Sequence, residues 1–349
     1  MSKLAVGIEV GASAVRLAVV NRTRSGPELL HLGRVPIPLG VVSDGEVVDA
    51  DAVSSAVKTM LHTYKLGSRC SARLGMVNAR TLAREVELPW VPKKDFAGAL
   101  PLLAADLLTM LAEDCVLDFL TFEEYTDVDG QRAIRGLLVA APDSSILTLI
   151  DAVEAGGVEV NDVTLTPLAT LAAVADGLAP GPEALVDIGL SATTLTIHEG
   201  GQPRFVRVIN RGGADLTTSI SEQLNLSLED AELWKCGIPQ MWPTMTPTDQ
   251  SATETVIRSA LADLIQEIRT SIEFFASAQN RRIVRAYVVG GGASTMGLVP
   301  ILAGVLRVPV TAVNAQIVRP HQSLSALERD LACSPSLTSV VSLALGVAA

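Results

Sequence analysis

Aromatic residues are scarce in this sequence and make up 3% of its 349 residues. Hydrophobic residues account for 48% and charged residues for 19%, so aliphatic side chains and glycine must fill most of the core. This composition excludes disordered, collagen-like and disulfide-scaffold proteins. At this length we expect about two domains, or one fold built from two related lobes.

Cysteines are few and widely separated. Cys70, Cys115, Cys236 and Cys333 form no CxxC pair, which removes the usual spacing of a zinc or redox site and favours a reducing compartment. The sequence has no run of about 18 apolar residues, and its N-terminus lacks the unbroken apolar stretch of a signal peptide. We therefore expect a cytoplasmic protein that does not itself insert into a membrane.

Basic residues are fewer than acidic residues. The 27 Lys and Arg residues are opposed by 38 Asp and Glu residues, which leaves a formal net charge of −11. No Lys/Arg-rich run is present that could follow nucleic-acid phosphates or anionic lipids. The sequence thus predicts no nucleic-acid partner and favours a protein partner over a lipid surface.

Two segments of the chain resemble each other. GIEVGASAVRLAVV, which starts at Gly7, aligns without gaps with LVDIGLSATTLTIH, which starts at Leu185. Each segment is typical of a strand that ends near an acid, Glu9 or Asp187, followed by a glycine-containing turn and a second strand. Taken singly, either turn could be an ordinary β-hairpin. The repetition predicts two similar lobes whose turns and carboxylates face one cleft, an arrangement suited to nucleotide phosphates and Mg²⁺.

A third glycine cluster follows another apolar strand. Residues 286–289 lead into Gly290 to Gly292 and Ser294, and a helix is predicted near 298–306. A strand, glycines and a helix N-terminus in this order suit a nucleotide. Neither GxGxxG nor GxxxxGK[ST] occurs, which removes the main evidence for Rossmann and P-loop folds.

Strand-like runs and helix-period segments alternate along the whole chain, which predicts an α/β or mixed α+β fold. One helix is expected near 95–112. A polar gap at 240–252 precedes a long helix whose apolar residues recur at spacings of three and four. These residues are Ile257, Leu261, Leu264, Ile268, Ile272 and Phe275.

The chain resembles the actin/Hsp70/sugar-kinase superfold through its three glycine segments. Within that superfold it is similar to the PilM family of type IV pilus assembly proteins, relatives of FtsA, in phrases such as ARTLAREVELPWVPKKDF, RFVRVINRGGADLT, EDAELWKCG and EIRTSIEFFASA. The resemblance implies an actin-like (ribonuclease H-like) two-lobed α/β fold with a nucleotide cleft. It implies a first-lobe core of 1–77, 143–183 and 337–349, an inserted FtsA/PilM-type subdomain of 78–142 and a second lobe of 184–336.

The same resemblance implies a site for ATP or ADP with Mg²⁺, in which Glu9 and Asp187 serve the metal. Glu9 departs from the Asp of most of the superfold, and Arg16 stands where the family commonly has Lys. Without the resemblance, Glu232 and Lys235 would belong to the charged exposed face of a capped helix. The implied nucleotide contacts are Gly11, Ala12, Ser13 and Arg16 in the first loop, Gly189, Ser191, Thr193 and Thr194 in the second, the pair Gly212 and Gly213, the nucleoside-side pair Glu232 and Lys235, and Gly290, Gly291, Gly292 and Ser294 on the purine side.

By this resemblance the protein is expected to be a cytoplasmic scaffold at the inner membrane. A groove beside 78–142 would receive the cytoplasmic N-terminal tail of a PilN-like membrane protein, with pilus motor components as further partners. Two alternatives remain: a sugar or acyl-phosphate kinase of the same superfold, and an FtsA-like polymerising division protein. Residues 163–174 contain no Asp, Glu, Gln or His to position a water, so we expect at most slow ATP hydrolysis.

Overall fold

The computed structural model describes residues 3–67, 70–174, 179–237, 247–314 and 318–346. Its strands are β1 (Lys3–Val10), β2 (Ala14–Thr23), β3 (Gly26–Pro36), β4 (Val42–Ser43), β5 (Glu46–Val47), β6 (Ser71–Met76), β7 (Leu82–Pro89), β8 (Cys115–Thr126), β9 (Arg132–Pro142), β10 (Glu159–Leu165), β11 (Pro182–Ile188), β12 (Thr193–Glu199), β13 (Gln202–Ile209), β14 (Arg285–Val289), β15 (Val310–Ala312) and β16 (Arg319–Pro320). Its α-helices are α1 (Ala50–Thr63), α2 (Lys93–Ala104), α3 (Asp143–Glu154), α4 (Thr166–Thr170), α5 (Gly213–Leu224), α6 (Leu228–Lys235), α7 (Pro247–Gln279), α8 (Leu298–Leu306), α9 (Ala326–Ala332) and α10 (Thr338–Leu345).

Two large sheets carry the repeat that the sequence predicts. The first sheet has the order β10-β6-β1-β2-β3-β16, and the second has the order β15-β14-β11-β12-β13-β7-β9-β8. In each sheet an antiparallel meander of three strands is extended by two strands that run parallel to its first strand. The two halves therefore share one topology, and the mixed α/β fold is confirmed.

The strands of segment 78–142 join the second sheet. Strand β7 pairs with β13 at two positions, Arg84 with Phe205 and Ala83 with Val206, and β9 and β8 follow outward. Helix α2 covers one face of these strands in a small apolar cluster. The helix expected over 95–112 is shorter, because it ends at Ala104 after Pro101, which cannot donate a hydrogen bond within the helix.

Each sheet packs its own helices. Helices α1 and α3 cover one face of the first sheet, while α5, α7 and α8 share a core with the second. The six predicted apolar positions of α7 are all buried, which confirms its amphipathic face. The expected gap at 240–252 is wrong in part, because α7 begins at Pro247; proline is favoured at a first helical position, where no N–H partner is needed. Residues 240–246 lie outside the described residues.

Helix α10 packs directly on strand β1 of the first sheet. A Cβ added at Gly7 would lie 2.6 Å from the Val340 carbonyl oxygen and 2.7 Å from the Ala344 nitrogen. Strand and helix backbones thus approach each other closely because Gly7 has no side chain.

No helix in the described part of the chain is long and apolar enough to cross a bilayer.

The close contact at Gly7 predicts a large cost for one added methyl group. We expect Gly7→Ala to lower the free energy of unfolding by about 1–3 kcal/mol, since β1 and α10 must separate. Gly98→Ala is the matched control, because nothing lies within 4 Å of its Cβ position in α2, and it should stabilise by roughly 0.5–1 kcal/mol. Urea unfolding of both variants measures the difference, and a neutral Gly7→Ala would contradict this packing.

Candidate functional site

The two glycine turns line one cavity. Gly11 and Ala12 belong to the turn between β1 and β2, and the turn between β11 and β12 contributes residues 189–192. The cavity, here called the cleft, has a volume of about 90 Å³, whereas small-molecule sites usually measure roughly 300–1,000 Å³. The turns therefore face a common cleft, as the repeat predicts, and the cleft is too narrow for a whole nucleotide in this conformation.

The turns offer backbone donors to the cleft. The N–H groups of Gly11 and Gly189 close the turns themselves, bonding the carbonyls of Ala14 at 3.0 Å and Ala192 at 2.9 Å. The next N–H groups, of residues 12, 190 and 191, have no acceptor among the described residues and belong to residues that line the cleft. Anion-binding capacity therefore lies one or two residues beyond each glycine.

Glu9 and Arg16 form an ion pair in the cleft. They stand opposite each other on β1 and β2, with Arg16 Nη1 3.3 Å from Glu9 Oε1. The Ser339 hydroxyl donates to Glu9 Oε2 at 2.5 Å. An ideal Cβ on Gly11 would lie 2.4 Å from Arg16 Nη1, so glycine leaves room for the guanidinium. The two residues that depart from the patterns expected in Sequence analysis, Glu9 and Arg16, thus interact with each other.

Asp187 is the carboxylate of the second turn. It lies opposite Thr194 on β12, and a Cβ on Gly290 would lie 2.3 Å from Asp187 Oδ1. Burial and, to a lesser extent, the charge of Glu9 raise the pKa of Asp187 to about 7, against the opposing effect of the Arg16 charge. Near neutral pH this carboxyl therefore exchanges between its protonated and ionised forms.

The hydroxyls assigned to the two loops fall into two groups. Ser191 and Thr194 line the cleft. Ser13 and Thr193 are not among the described lining residues, and the buried Thr193 hydroxyl donates to the Arg211 carbonyl at 2.8 Å. Successive side chains of a strand point to opposite faces, so Thr193 and Thr194 cannot both face one ligand. The nucleotide contact predicted for Thr193 is therefore replaced by an internal hydrogen bond.

Gly212 and Gly213 support the second turn from behind. The N–H of Gly213 bonds the Gly189 carbonyl at 2.9 Å, and that of Gly212 bonds Asp215 Oδ2 at 2.7 Å. A Cβ on Gly212 would lie 2.5 Å from the Leu190 carbonyl oxygen. The glycine pair thus lets α5 begin against the turn, and neither glycine lines the cleft among the described residues.

Glu232 and Lys235 form an internal network. Lys235 is 3% exposed, and its Nζ donates to Glu232 Oε2 at 2.6 Å, to the Thr217 hydroxyl at 2.9 Å and to the Gly213 carbonyl at 3.1 Å. All three ammonium donors are therefore used. The alternative of a charged exposed face is wrong for Lys235, and the network joins α6 to α5 and so to the second turn.

The third glycine cluster has the predicted order of strand, glycines and helix. A 3₁₀ turn at residues 291–294 separates β14 from α8. A Cβ on Gly292 would lie 2.2 Å from a side-chain atom of Ile188, so this glycine allows close packing on β11. Gly291 and Ser294 are exposed, and neither lines the cleft among the described residues.

Three further polar residues line the cleft and were not expected from the sequence: Asp44, Thr166 and Asn210. Asp44 lies in the β4–β5 turn, where Asp44 and Gly45 both have positive φ. The Asp-Gly pair between valine-rich segments was the available signal for this hairpin. Thr166, at the start of α4, is buried, and its hydroxyl has no partner among the described residues. It is thus a buried, unpaired polar group beside the cleft, which a ligand or water could reach when the cleft widens.

The described cleft contains carboxylates but no preformed cluster of protein ligands for a metal. Mg²⁺ needs near-octahedral oxygen ligands and normally retains several waters. Both oxygens of Glu9 are already bonded, to Arg16 and Ser339. The described residues also contain no group of three or more His, Cys, Asp or Glu that could hold a metal. The role of Glu9 and Asp187 at Mg²⁺ therefore stays a prediction, in which the hydrated metal would share Glu9 with Arg16 and Ser339.

Comparisons with known proteins identify similarities over nearly the whole chain. Residues 7–346 match the family model described as type IV pilus assembly protein PilM. The structure is also similar to the solved PilM–PilN type IV pilus biogenesis complex, with a TM-score of 0.82, 25% sequence identity and 99% coverage of both chains.

More distant similarities extend to other bacterial actin-like proteins. The cell division protein FtsA of Streptococcus pneumoniae is 24% identical over 350 residues, which cover 90% of this chain and 75% of that protein. The structure of MreB5 of Spiroplasma citri bound to AMPPNP has a TM-score of 0.53 and 13% identity, with 97% of this chain and 94% of that chain covered. The MreB5 similarity concerns the fold alone.

The raised pKa of Asp187 predicts a pH-dependent stability. Because the folded-state pKa of about 7 exceeds the usual value of 3.8, the folded protein loses stability as pH rises from about 4 to 7. Asp187→Asn should remove this loss. The difference in free energy of unfolding between the variant and wild type should therefore be about 1–3 kcal/mol more favourable to the variant at pH 8 than at pH 5. Melting curves at both pH values test this, with Asp129→Asn in an exposed turn as the control. An Asp187→Asn difference from wild type that does not change with pH would contradict the assignment.

Proposed function

Because the chain belongs to the PilM family of type IV pilus assembly proteins, we propose that it is an actin-like scaffold of the pilus assembly platform. It binds ATP or ADP in the cleft and the cytoplasmic N-terminal tail of a PilN-like protein. In this proposal the protein resides in the cytoplasm and associates with the inner membrane through that partner. The observation that carries the proposal is the similarity to the PilM–PilN complex over 99% of both chains.

An edge strand of the inserted segment suits a short peptide. Strand β8 pairs with β9 on one side and, within the described ranges, with no strand on the other. An extended tail can add to such an edge through main-chain hydrogen bonds, while pockets for alternate side chains give specificity. The partner groove that the family resemblance implies beside 78–142 is therefore proposed along β8.

Apolar side chains border that edge. Val116 and Leu120 of β8 pair with Ala141 and Leu137 of β9, and these partners belong to the core of the first sheet. Directly paired residues point to the same face, yet Val116 and Leu120 are 43% and 47% exposed. An apolar margin thus remains on the side of the insertion that faces the first sheet, where the apolar residues of a bound tail can be buried.

A charge on this margin should weaken the binding of the partner peptide. We expect Leu120→Asp to lower the affinity for a synthetic PilN-like N-terminal peptide about tenfold or more, since apolar contact is replaced by a desolvated charge. Leu102→Asp is the matched control, because Leu102 is 83% exposed on α2, which covers the opposite face. Calorimetric titration compares the variants. Equal affinities for both would remove β8 from the interface.

The cleft supports the nucleotide part of the proposal. Backbone N–H groups without acceptors, the Arg16 guanidinium and the unpaired Thr166 hydroxyl all belong to residues that line it. Such groups bind phosphate oxygens well. Ser191 and Thr194 also line the cleft, while Gly212, Gly213 and the Glu232–Lys235 network act indirectly by supporting the second turn. The cleft must widen to admit the ligand. The Mg²⁺ expected with the nucleotide would share Glu9 with Arg16 and Ser339.

Widening of the cleft connects the nucleotide to the partner groove. The insertion is hydrogen-bonded to the second sheet through β7 and β13 and shares buried residues Leu137 and Ala141 with the core of the first sheet. A change in the angle between the sheets must therefore move or strain the insertion. Nucleotide binding then acts by favouring one arrangement over another.

We expect saturating ATP to change the affinity for the partner peptide about 5- to 150-fold, the range of typical coupling free energies. Steady-state phosphate release should stay well below the roughly 1–100 per second of kinases, because no acid or base follows Thr166 in α4. Titrations with and without ATP, together with a phosphate assay, measure both quantities. A peptide affinity that ATP does not change would contradict the proposed coupling. Rapid phosphate release would show that the protein is an enzyme.

A further inference from the structure

The hairpin of β4 and β5 forms part of the wall of the cleft. Its turn residues Asp44 and Gly45 line the cleft together with Val77 and Ala79, which follow β6. The Ala79 N–H donates to the Asp44 carbonyl at 3.3 Å, and a Cβ on Gly45 would overlap the Val77 carbonyl oxygen. The turn and the segment after β6 are therefore in direct backbone contact, and a ligand that displaces one must also displace the other.

Glu46 connects this hairpin to both ends of the insertion, residues 78–142. At the entrance, its Oε1 accepts from the Asn78 amide at 3.5 Å and from the Arg80 guanidinium. The same oxygen accepts from the Ser145 hydroxyl at 3.2 Å, in the first turn of α3, where the chain has just left the insertion. One side chain of the hairpin thus contacts the chain where it enters the insertion and where it leaves.

The entrance and the exit are also bonded to each other. The Asn78 side-chain amide donates to the Ser145 hydroxyl at 3.3 Å and accepts from the Arg80 N–H at 2.8 Å. Asn78 and Ser145 are buried, whereas the side chains of Glu46 and Arg80 are 44% and 56% exposed. The hydrogen bond from Arg80 lowers the pKa of Glu46, so Glu46 is ionised at neutral pH. Loss of its carboxylate would therefore detach the hairpin from a junction that stays bonded to itself.

We propose that Glu46 transmits the nucleotide state of the cleft to the partner groove on the insertion. A nucleotide must widen the cleft, and its phosphates repel the Asp44 carboxylate of the hairpin turn. Because Glu46 holds both ends of the insertion, a displacement of the hairpin is passed to the insertion and so to β8. Nucleotide binding then favours one position of the insertion over another.

The inference rests on the proposed binding of nucleotide and partner tail, and it assigns the coupling between them to one residue. Glu46 is not among the described residues that line the cleft, and it lies on β5, away from the proposed groove along β8. It is therefore a positioning residue. Its removal should change how the two ligands affect each other and should leave both able to bind.

The test measures the affinity for a PilN-like N-terminal peptide by calorimetry, with and without saturating ATP. Wild type should show a change of about 5- to 150-fold. In Glu46→Ala the change should fall to about threefold or less, and the effect of the peptide on ATP affinity must fall by the same factor, because coupling is reciprocal. Glu46→Gln keeps an oxygen that can accept from Asn78 and Ser145, so it should give an intermediate change.

Glu273→Ala is the matched control. It breaks an ion pair of similar exposure, with Arg269 on α7, and should keep the wild-type effect of ATP. Since ion pairs this exposed add little stability, Glu46→Ala should melt close to wild type. If it does not fold, Arg80→Gln replaces it, because this variant removes the ion pair and should also reduce the effect of ATP.

The outcomes separate this inference from the proposed function. A wild-type effect of ATP on peptide affinity in folded Glu46→Ala, or in Arg80→Gln where that variant replaces it, would overturn the role of Glu46 and leave the proposed coupling intact. No effect of ATP in the wild-type protein would overturn both. A reduced effect in Glu273→Ala as well would show that any lost ion pair has this consequence, and the assignment to Glu46 would fail.

Discussion

The cross-strand pair of Glu9 and Arg16 determines much of the first half of the cleft. The register of β1 and β2 places the two side chains on one face, and Gly11 leaves space for the guanidinium. The other oxygen of Glu9 accepts from Ser339 of α10, so the helix that packs on β1 also holds the ion pair. Packing of the first sheet and the charge of the cleft are therefore linked through a few contacts.

The second half repeats the topology and differs in its charges. Asp187 occupies the place of Glu9, but the residue opposite it is Thr194, so the second turn has no cation equivalent to Arg16. Its support comes from neutral turn contacts and from Lys235, whose charge is satisfied within the α5–α6 network. The pseudo-symmetric fold thus contains an asymmetric cleft, in which phosphate is expected to lie nearer to the first turn.

Much of this organisation could be predicted from the sequence, because it depends on local patterns. The repeated hairpins and the apolar stripe of α7 follow from spacing alone. The burial of Lys235, the hydrogen bond of Thr193 and the joining of β7 to β13 depend on residues that are distant along the chain, and spacing does not reveal such contacts. The family resemblance named Arg16 as a phosphate contact, but its pairing with Glu9 required the strand register. Thr166 lines the cleft because α4 packs against β12, a contact that spacing along the sequence does not indicate.

The account is tested most directly by crystals of the protein grown with ATP. We predict density for phosphate within hydrogen-bonding distance of the Arg16 guanidinium and of the N–H groups of residues 12, 190 and 191, in a wider cleft. Phosphate density away from both turns, with Arg16 still bonded only to Glu9, would contradict the account.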